Sequence, residues 1–336
     1  MTMEQEDWLS LTIEDPLDPD LPICDPHHHL WDRPGSRYVL EDLSQDIAGG
    51  HNLVETVFVE CRASFRTDGP LEMRPVGETE FVSEIAEKSL TGEHGKTKVA
   101  AGIVGFADLT RGAEVAPVLE AHLAAGGARF KGIRHSVAWD AYPEISGYMD
   151  SPEGLLLDSK FREGFACLGR YGLSFDSWLY HPQLMELADL AGTFPETTII
   201  VDHIGGPLNI GPYAGKREEV FREWKNGMRE LAGRPNVVVK LGGLGMPIGG
   251  FDWAERTEPP GSIELAEAMS PYYTWCIEEF GASRCMFESN FPVDKVSYSY
   301  TVMWNAFKRI VQDFSPEDKA ALFYDTAASV YRLAKG

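Results

Sequence analysis

The stretch ICDPHHHLWD, residues 23–32, carries three consecutive histidines directly after an apolar pair. In an extended strand, residues two positions apart point to the same side. His27 and His29 are therefore expected to face one side together, while His28 faces the other side and serves as a packing residue. Two imidazoles on one side of a strand are spaced to hold one divalent ion or one anionic group of a substrate.

Seven further short apolar runs follow this stretch, each typical of a strand that is covered on both faces. Helical patterns with apolar residues at i, i+3 and i+4 fill most of the gaps, and several end in glycine. This alternation predicts a single-domain α/β fold, a (β/α)8 TIM barrel over residues 22–336, with residues 1–21 as an N-terminal extension. The predicted strands are 23–29, 54–60, 97–105, 128–134, 173–178, 197–203, 236–241 and 284–289.

The composition narrows the class of partner. The chain has 336 residues, with 52 Asp and Glu against 30 Lys and Arg, and a formal net charge of −22. Because an acidic surface repels nucleic acids and anionic membranes, we expect neither as a partner. The five cysteines are scattered without a CxxC pair, and no signal peptide or membrane-spanning run is visible. We therefore expect a cytoplasmic protein that acts on a small molecule. The sequence leaves open whether the protein forms a homo-oligomer.

Polar residues stand at the carboxyl ends of the predicted strands, where barrels of this type build their active sites. Arg134 could bind a substrate carboxylate, or it could form an ion pair with Glu60 or Asp176. Asp202 is expected to face out of the barrel and to cap the following turn. The strand-end set is His27, His29, Glu60, Arg134, His135, Asp176, His203, Lys240, Glu288 and Asn290.

Three motifs together resemble the amidohydrolase superfamily, and more narrowly its amidohydrolase-related branch of sugar lactonases and 2-pyrone-4,6-dicarboxylate lactonase. They are DPHHHLWD at 25–32, IIVDHIGGP at 199–207 and FESNFPVD at 287–294. The resemblance extends from about residue 21 to about residue 334. It implies a TIM-barrel hydrolase that opens a small anionic or polyhydroxylated lactone by attack of an activated water.

Carried over residue by residue, the resemblance makes His27 and His29 metal ligands and His203 the catalytic histidine of strand six. His181, in the loop after strand five, is a loose match to a further histidine of the family. Asn290 stands where the family has an aspartate that binds metal and activates water. A neutral amide cannot accept a proton. One divalent ion, zinc first, and no metal at all are both compatible with this pattern.

Another carboxylate could replace the missing aspartate as the catalytic base. The candidates are Asp294, Glu288 and Glu60. We favour Asp294, because the Phe291-Pro292 turn could bring it back over the barrel mouth. Asn290 would then donate a hydrogen bond to the substrate or to a histidine. The residues expected to bind substrate or to wall its pocket are Arg134, His135, His181, Glu60, Trp31 and Tyr180.

Two other functions fit the same residues. A lyase on this scaffold, such as a non-oxidative decarboxylase or a hydratase, needs an electrophile and a proton donor but no attacking water. Such a reaction would suit the loss of the aspartate. A catalytically silent binding barrel is the other alternative, but it has no need of so many ionisable groups at its strand ends.

Overall fold

The computed structural model describes residues 3–146 and 151–333, and eight parallel strands within them form one curved sheet. Each strand pairs with the next along the chain, so the sheet follows sequence order. All the predicted strands are present, and the (β/α)8 barrel is confirmed. The strands are Pro22–His28 (β1), Asn52–Val59 (β2), Lys98–Gly105 (β3), Phe130–Arg134 (β4), Ser174–Ser177 (β5), Ile199–Val201 (β6), Val237–Leu241 (β7) and Cys285–Phe287 (β8).

The barrel closes between β1 and the segment that follows β8. The amide of Asn290 donates to the carbonyl of His27 at 2.9 Å, and the amide of His29 donates to the carbonyl of Phe291 at 2.7 Å. These bonds join the carboxyl ends of the first and last strands. The histidine motif and the strand-eight motif are therefore fixed side by side at the mouth of the barrel.

Helices cover the outer face of the sheet in every crossover. Several begin at a side-chain cap, as at Asp158, Ser299 and Ser315, each of which accepts a hydrogen bond from an amide in the first turn. The helix between β1 and β2 has no counterpart in the sequence analysis. The main helices are Leu40–Ile47, Val76–Ser89, Ala116–Gly126, Ser159–Arg170, Leu184–Thr193, Arg217–Ala232, Ser262–Phe280, Tyr300–Ile310, Pro316–Ala320 and Thr326–Val330.

The two ends of the chain pack on opposite parts of the barrel. At the amino ends of the strands, Tyr331 and Leu333 join a buried apolar cluster with the inward-facing Val57 and Val104. This cluster stabilises the barrel, because each fully buried apolar side chain favours the folded state by about 1.5–3 kcal/mol. The N-terminal extension begins with the helix Met3–Leu9 and lies against the later loops.

Short elements shape the mouth of the barrel. An antiparallel hairpin of Trp31–Arg33 and Ser36–Tyr38 follows β1, and 3-10 turns follow several of the other strands. Among the described helices, none has the length and apolar character needed to span a bilayer.

Candidate active site

A cavity of about 440 Å³ opens at the carboxyl ends of the strands. It brings together seven of the residues predicted from the sequence: His29, Trp31, Glu60, Arg134, Tyr180, His203 and Asn290. The remaining wall consists of residues that the sequence analysis did not select: Arg33, Cys61, Arg62, Trp178, Met246, Pro247, Ile248 and Val293.

His27 does not line the cavity but is fully buried against two residues that do, Arg134 and His203. It belongs to a buried group of ionisable residues at the base of the cavity, termed the floor: His27, Glu60, Arg134, Asp176, Asp202, His203, Lys240 and Glu288. His27 Nε2 is 3.2 Å from Arg134 Nη1, and its Nδ1 is 2.7 Å from Glu288 Oε2. Arginine and lysine can only donate hydrogen bonds, and His27 Nδ1 also lies 3.2 Å from Lys240 Nζ, so each ring nitrogen faces a cationic donor and Nδ1 faces a carboxylate as well. Burial, together with the nearby Lys240 ammonium, lowers the pKa of His27 to about 4. The imidazole is therefore neutral at neutral pH.

Glu288 lies buried between His27 and His203. Its Oε1 accepts a hydrogen bond from the His203 amide at 3.0 Å and faces His203 Nδ1 at 2.7 Å. The carboxylate fixes the proton of His203 on Nδ1, which leaves the lone pair on Nε2. Burial lowers the pKa of His203 to about 3. His203 thus presents a neutral imidazole, oriented by a carboxylate, to the cavity.

The backbone after β6 turns in an unusual way to place this histidine. His203 and Ile204 have φ values of 53° and 51°, in the left-handed region that non-glycine residues rarely occupy. The turn breaks the strand alternation, so both Asp202 and His203 point into the barrel. The expectation that Asp202 faces outward is therefore wrong. Its carboxylate is fully buried and lies 3.0 Å from Lys240 Nζ.

Lys240, on β7, is the centre of a second buried group of charges. Its Nζ donates to Asp176 Oδ2 at 2.6 Å, and the Tyr331 hydroxyl donates to the same oxygen at 2.6 Å from below. Burial acts to lower the pKa of Lys240, but Asp176 and Asp202 together raise it above its usual value. From the sequence, Lys240 was predicted only as a strand-end residue, and Asp176 as a strand-end residue and a candidate ion-pair partner of Arg134. A lysine within the apolar run NVVVKL was the signal for its role.

Arg134 is committed to the floor of the cavity. Its Nε donates to Glu60 Oε1 at 2.9 Å, its Nη2 also bonds the Glu60 carbonyl, and its Nη1 lies 3.5 Å from Asp202 Oδ2. Burial acts to lower the pKa of Arg134, but the Glu60 and Asp202 carboxylates outweigh burial and raise this pKa above its usual value. The ion pair with Glu60, which the sequence left as one alternative, is present.

The floor residues fit a divalent cation. Four buried carboxylates face only two side-chain cations there, and the Oε2 atom of Glu60 and the Oδ1 atom of Asp176 are buried without a hydrogen bond. Buried carboxylate oxygens without a partner are costly. Within the described part of the chain, His27, His203 and Glu288 form a group whose ligand atoms all lie within 4.8 Å of one another. Two imidazoles and one carboxylate form a typical catalytic zinc set.

His29 and Asn290 face each other across one side of the cavity. His29 Nδ1 donates to the Val59 carbonyl at 2.8 Å, which leaves a lone pair on Nε2. Asn290 Nδ2 donates to Asp294 at 2.7 Å, which turns Oδ1 towards His29 Nε2 at 3.3 Å. Two acceptor atoms therefore meet at the cavity. A bound water, a substrate hydroxyl or a cation would satisfy both of them.

Asp294 lies behind Asn290 and does not reach the cavity wall. Its carboxylate is fully buried and accepts hydrogen bonds from Tyr298 Oη at 2.7 Å, Asn290 Nδ2 at 2.7 Å and the Gly245 amide at 3.0 Å. Burial raises its pKa to about 7. In this position Asp294 orients the Asn290 amide, and Asn290 separates it from the cavity.

His135 and His181 also lie outside the cavity wall. His135 packs against the rings of Phe106 and Phe161, and its Nδ1 accepts from the Leu109 amide at 3.2 Å. His181 begins a 3-10 turn, and its Nδ1 accepts from a backbone amide at 3.3 Å. Burial lowers the pKa of each to about 4. Both histidines are therefore packing residues around the barrel.

The upper wall of the cavity is mostly aromatic and apolar. The Trp178 and His203 rings pack edge to face, with their centroids 4.8 Å apart. The Tyr180 hydroxyl donates a hydrogen bond to the Ile145 carbonyl at 3.3 Å. Trp31 lies on the opposite hairpin, and its indole donates to Ser36 at 3.0 Å. A small ring with polar substituents matches this combination of apolar walls and a charged floor.

Known proteins resemble the chain over most of its length. The protein y4mH of Sinorhizobium fredii is 35% identical over 336 residues, which cover 94% of this chain and 99% of that protein. An L-fucono-1,5-lactonase of Burkholderia multivorans is 26% identical over 235 residues, which cover 69% of this chain and 72% of that enzyme.

A solved structure of an amidohydrolase from Burkholderia multivorans, with bound zinc, gives a TM-score of 0.69 at 24% identity. That match covers 93% of this chain and 99% of the other. It shows that the two proteins share the barrel fold.

The family model described as amidohydrolase matches residues 24–333. This range contains β2 to β8, all but the first two residues of β1, and the three motifs on which the resemblance rested. The expected superfamily and the expected hydrolase class are both confirmed. The chain belongs to the amidohydrolase family.

Proposed function

We propose that the protein is a lactonase, which opens the ring ester of a small lactone by attack of a water molecule at the barrel mouth. The observation that carries this proposal is the His203–Glu288 pair. Its Nδ1 to Oε1 distance of 2.7 Å orients a neutral imidazole at the edge of the cavity. The similarity to an L-fucono-1,5-lactonase supports the same class of reaction.

His203 is the better of the two cavity histidines for the role of base. Its Nδ1 faces a carboxylate, whereas the Nδ1 of His29 faces only the Val59 carbonyl. A carboxylate stabilises the imidazolium that forms when Nε2 takes a proton, as in hydrolytic triads. We therefore assign proton transfer to His203 and move this role from Asp294, which lies behind Asn290.

His29 and Asn290 orient the attacking water. His29 Nε2 and Asn290 Oδ1, 3.3 Å apart, are both acceptors, so a water beside them donates one hydrogen to one of them, directs its other hydrogen to His203 Nε2 and points a lone pair at the substrate. Asp294 holds the Asn290 amide in this orientation. Asn290 then positions the water without removing its proton, so the neutral amide is compatible with hydrolysis.

The reaction balances with these groups. Water oxygen bonds to the ester carbonyl carbon as its proton passes to His203 Nε2. Collapse of the tetrahedral intermediate breaks the ring C–O bond, and the same proton returns to the leaving alkoxide. The product is the open-chain hydroxy acid. A divalent ion, zinc first, would be held by His27, His203 and Glu288, and it would supply Lewis-acid polarisation of the ester carbonyl. Such an ion would occupy the lone pair of the His203 imidazole, so the proton-transfer role of His203 belongs to the site without the ion.

The test is the lactonase activity of His203→Asn. Loss of the base is expected to lower kcat by roughly 10²–10⁴ on any lactone that the wild type opens. His122→Asn is the matched control, because His122 is another buried histidine but lies in the helix Ala116–Gly126. Its activity per folded molecule is expected to match the wild type. Wild-type protein that opens no lactone, with or without added zinc, would contradict the proposal.

Metal binding has a readout independent of activity. Protein purified without chelator or affinity tag is expected to retain zinc measured by elemental analysis, and Glu288→Gln is expected to retain less, because one ligand is lost. Equal metal content in the two proteins would remove Glu288 from the ligand set.

A non-oxidative lyase is the second candidate, and Asn290 is the observation that favours it. The chain lacks a carboxylate at the position where the family activates water, whereas His203 can still donate and accept a proton. Turnover in H₂¹⁸O separates the two reactions. Hydrolysis places one ¹⁸O atom in the product carboxylate, and a decarboxylase releases carbon dioxide instead.

A further inference from the structure

We infer that the rim of the cavity is an anion-binding subsite, built by Arg33 and Arg62, and that the substrate is a lactone that carries a carboxylate. This inference rests on the proposed lactonase function and specifies its substrate. The sequence analysis gave the carboxylate-binding role to Arg134. The structure commits that arginine to Glu60, Asp202 and His27 instead.

Arg33 and Arg62 differ from Arg134 in their surroundings. Both line the cavity and are exposed. Within residues 3–146 and 151–333, neither has a carboxylate oxygen within 4.0 Å, although acidic residues outnumber basic ones by 52 to 30 in the chain. Two guanidinium groups without an acidic partner are therefore available to a ligand, and guanidinium forms bidentate bonds with carboxylates.

The backbone holds both arginines at the rim. Arg33 Nη2 bonds the Cys61 carbonyl, and its guanidinium lies 5.1 Å from the Trp31 ring centroid. Arg62 occupies the left-handed region at φ 58°, and its guanidinium lies 5.5 Å from the Phe106 ring centroid. Left-handed backbone at a non-glycine residue costs of the order of 1 kcal/mol and is concentrated at functional sites.

Glu78, in the helix Val76–Ser89, pins the turn that carries Arg62. Its Oε1 accepts from the Ala63 amide at 2.7 Å and from the Cys61 amide at 3.1 Å. The residue is buried, and these bonds hold the backbone on either side of Arg62. Glu78 is thus a positioning residue for the rim.

The charge of the floor determines which way the substrate enters. The four buried carboxylates of the floor (Glu60, Asp176, Asp202 and Glu288) outnumber its two side-chain cations, Lys240 and Arg134, so the carboxylate of the substrate would be repelled from the floor. At the rim, the same group would meet two arginines. The ester carbonyl then enters first, towards His203, and the substrate carboxylate stays at the rim.

Two lactones that share a ring test this inference. Glucaro-1,4-lactone carries a carboxylate where glucono-1,4-lactone carries a hydroxymethyl group. We expect the wild type to prefer the first in kcat/KM. The double variant Arg33→Gln/Arg62→Gln is expected to lose roughly 10- to 100-fold on the first lactone, the usual worth of hydrogen bonds to a charged group. Its activity on the second lactone is expected to change by less than about 3-fold.

The matched control is Arg37→Gln. Arg37 lies on the same hairpin but forms ion pairs with Glu41 at 3.0 Å and Asp42 at 3.2 Å, and it does not line the cavity. Its preference between the lactones is expected to equal that of the wild type. An unchanged preference in the Arg33→Gln/Arg62→Gln variant, or a wild-type preference for glucono-1,4-lactone, would overturn the inference.

Calorimetry with glucarate separates failure of the subsite from failure of the lactonase proposal. If neither lactone is opened, the proposed reaction fails, and the rim is judged on binding alone. Weaker glucarate binding by Arg33→Gln/Arg62→Gln than by wild type and Arg37→Gln supports the anion subsite. Equal binding by all three proteins, or none by the wild type, overturns it.

Discussion

The floor and the rim of one cavity use the same kinds of charge in opposite ways. At the floor, Arg134 and Lys240 are buried, and each lies within 3.0 Å of a carboxylate oxygen. At the rim, Arg33 and Arg62 are exposed, and no carboxylate oxygen of the described residues lies within 4.0 Å of either. A buried charge must be neutralised within the fold, whereas an exposed one remains available to a ligand. The floor is therefore built for chemistry and the rim for recognition.

Removal of a floor cation is expected to have the largest effect on stability. Lys240→Met leaves the fully buried carboxylates of Asp176 and Asp202 without their shared ammonium. Loss of one partner from a buried ion pair lowers the free energy of unfolding by about 3–5 kcal/mol. Arg33→Gln/Arg62→Gln, at the rim, is expected to change it by less than about 1 kcal/mol.

Urea denaturation measures both effects. Adding Asp176→Asn to Lys240→Met should restore part of the loss, because one uncompensated charge disappears. Equal stability of the Lys240→Met protein and the wild type would contradict the charge pairing at the floor.

The floor histidines are expected to make the protein sensitive to acid. Burial lowers the pKa of His203 to about 3, well below the value of about 6.5 in an unfolded chain. A depressed pKa means that the unfolded chain binds the proton first. The stability from this group is therefore present above pH 6.5 and is lost as the pH falls from about 6.5 towards 3.

His203→Asn removes this one titration. Between pH 6 and 4, its free energy of unfolding should fall less steeply than that of the wild type, by up to about 1.4 kcal/mol per pH unit. Arg62→Gln, which removes no histidine, should keep the wild-type slope. Parallel curves for wild type and His203→Asn would show that the imidazole is not held neutral by burial.

The smallest expected effect concerns Glu78, the residue that positions the rim. Burial and the nearby Glu60 raise the pKa of Glu78 to about 8, so its protonated form, like glutamine, keeps a carbonyl-type oxygen for the Cys61 and Ala63 amides. Glu78→Gln should therefore change KM for a carboxylated lactone by less than about 2-fold. Glu78→Leu leaves both amides without an acceptor and should raise KM by roughly 3- to 10-fold.

Steady-state kinetics separates this role from general damage to the fold. A positioning role predicts a change in KM for the carboxylated lactone, an unchanged kcat, and rescue in Glu78→Gln. A fall in kcat on charged and neutral lactones alike would indicate damage to the floor.

Much of the fold could be predicted from the sequence because barrel strands are short apolar runs separated by helical patterns. The helix Leu40–Ile47 was not predicted, because its sequence, LEDLSQDI, has a weak apolar pattern in which only Leu40 and Leu43 are buried. The strand alternation correctly paired His27 with His29. It failed at Asp202, which lies on the same side as the buried Ile200 two positions earlier; the left-handed turn that begins at His203 then brings that histidine to this side as well.

The site was harder to predict where it depends on loops and on long-range charge balance. His181 lies in a loop, where no strand alternation applies, so its direction relative to the cavity does not follow from the sequence. Arg33 ends a short hairpin strand and Arg62 lies in a loop, and their placement follows from contacts with Cys61 and Glu78. Lys240 was visible in β7, but its role depends on carboxylates from β5 and the turn after β6.

The most direct test of the division between floor and rim is kcat/KM for the two lactones in wild type, Glu288→Gln and Arg33→Gln/Arg62→Gln. Glu288→Gln should lower both values by the same factor, because His203 serves every substrate. The rim variant should lower only the value for glucaro-1,4-lactone. An equal loss on both lactones in the rim variant, or a loss on only one lactone in Glu288→Gln, would contradict the division.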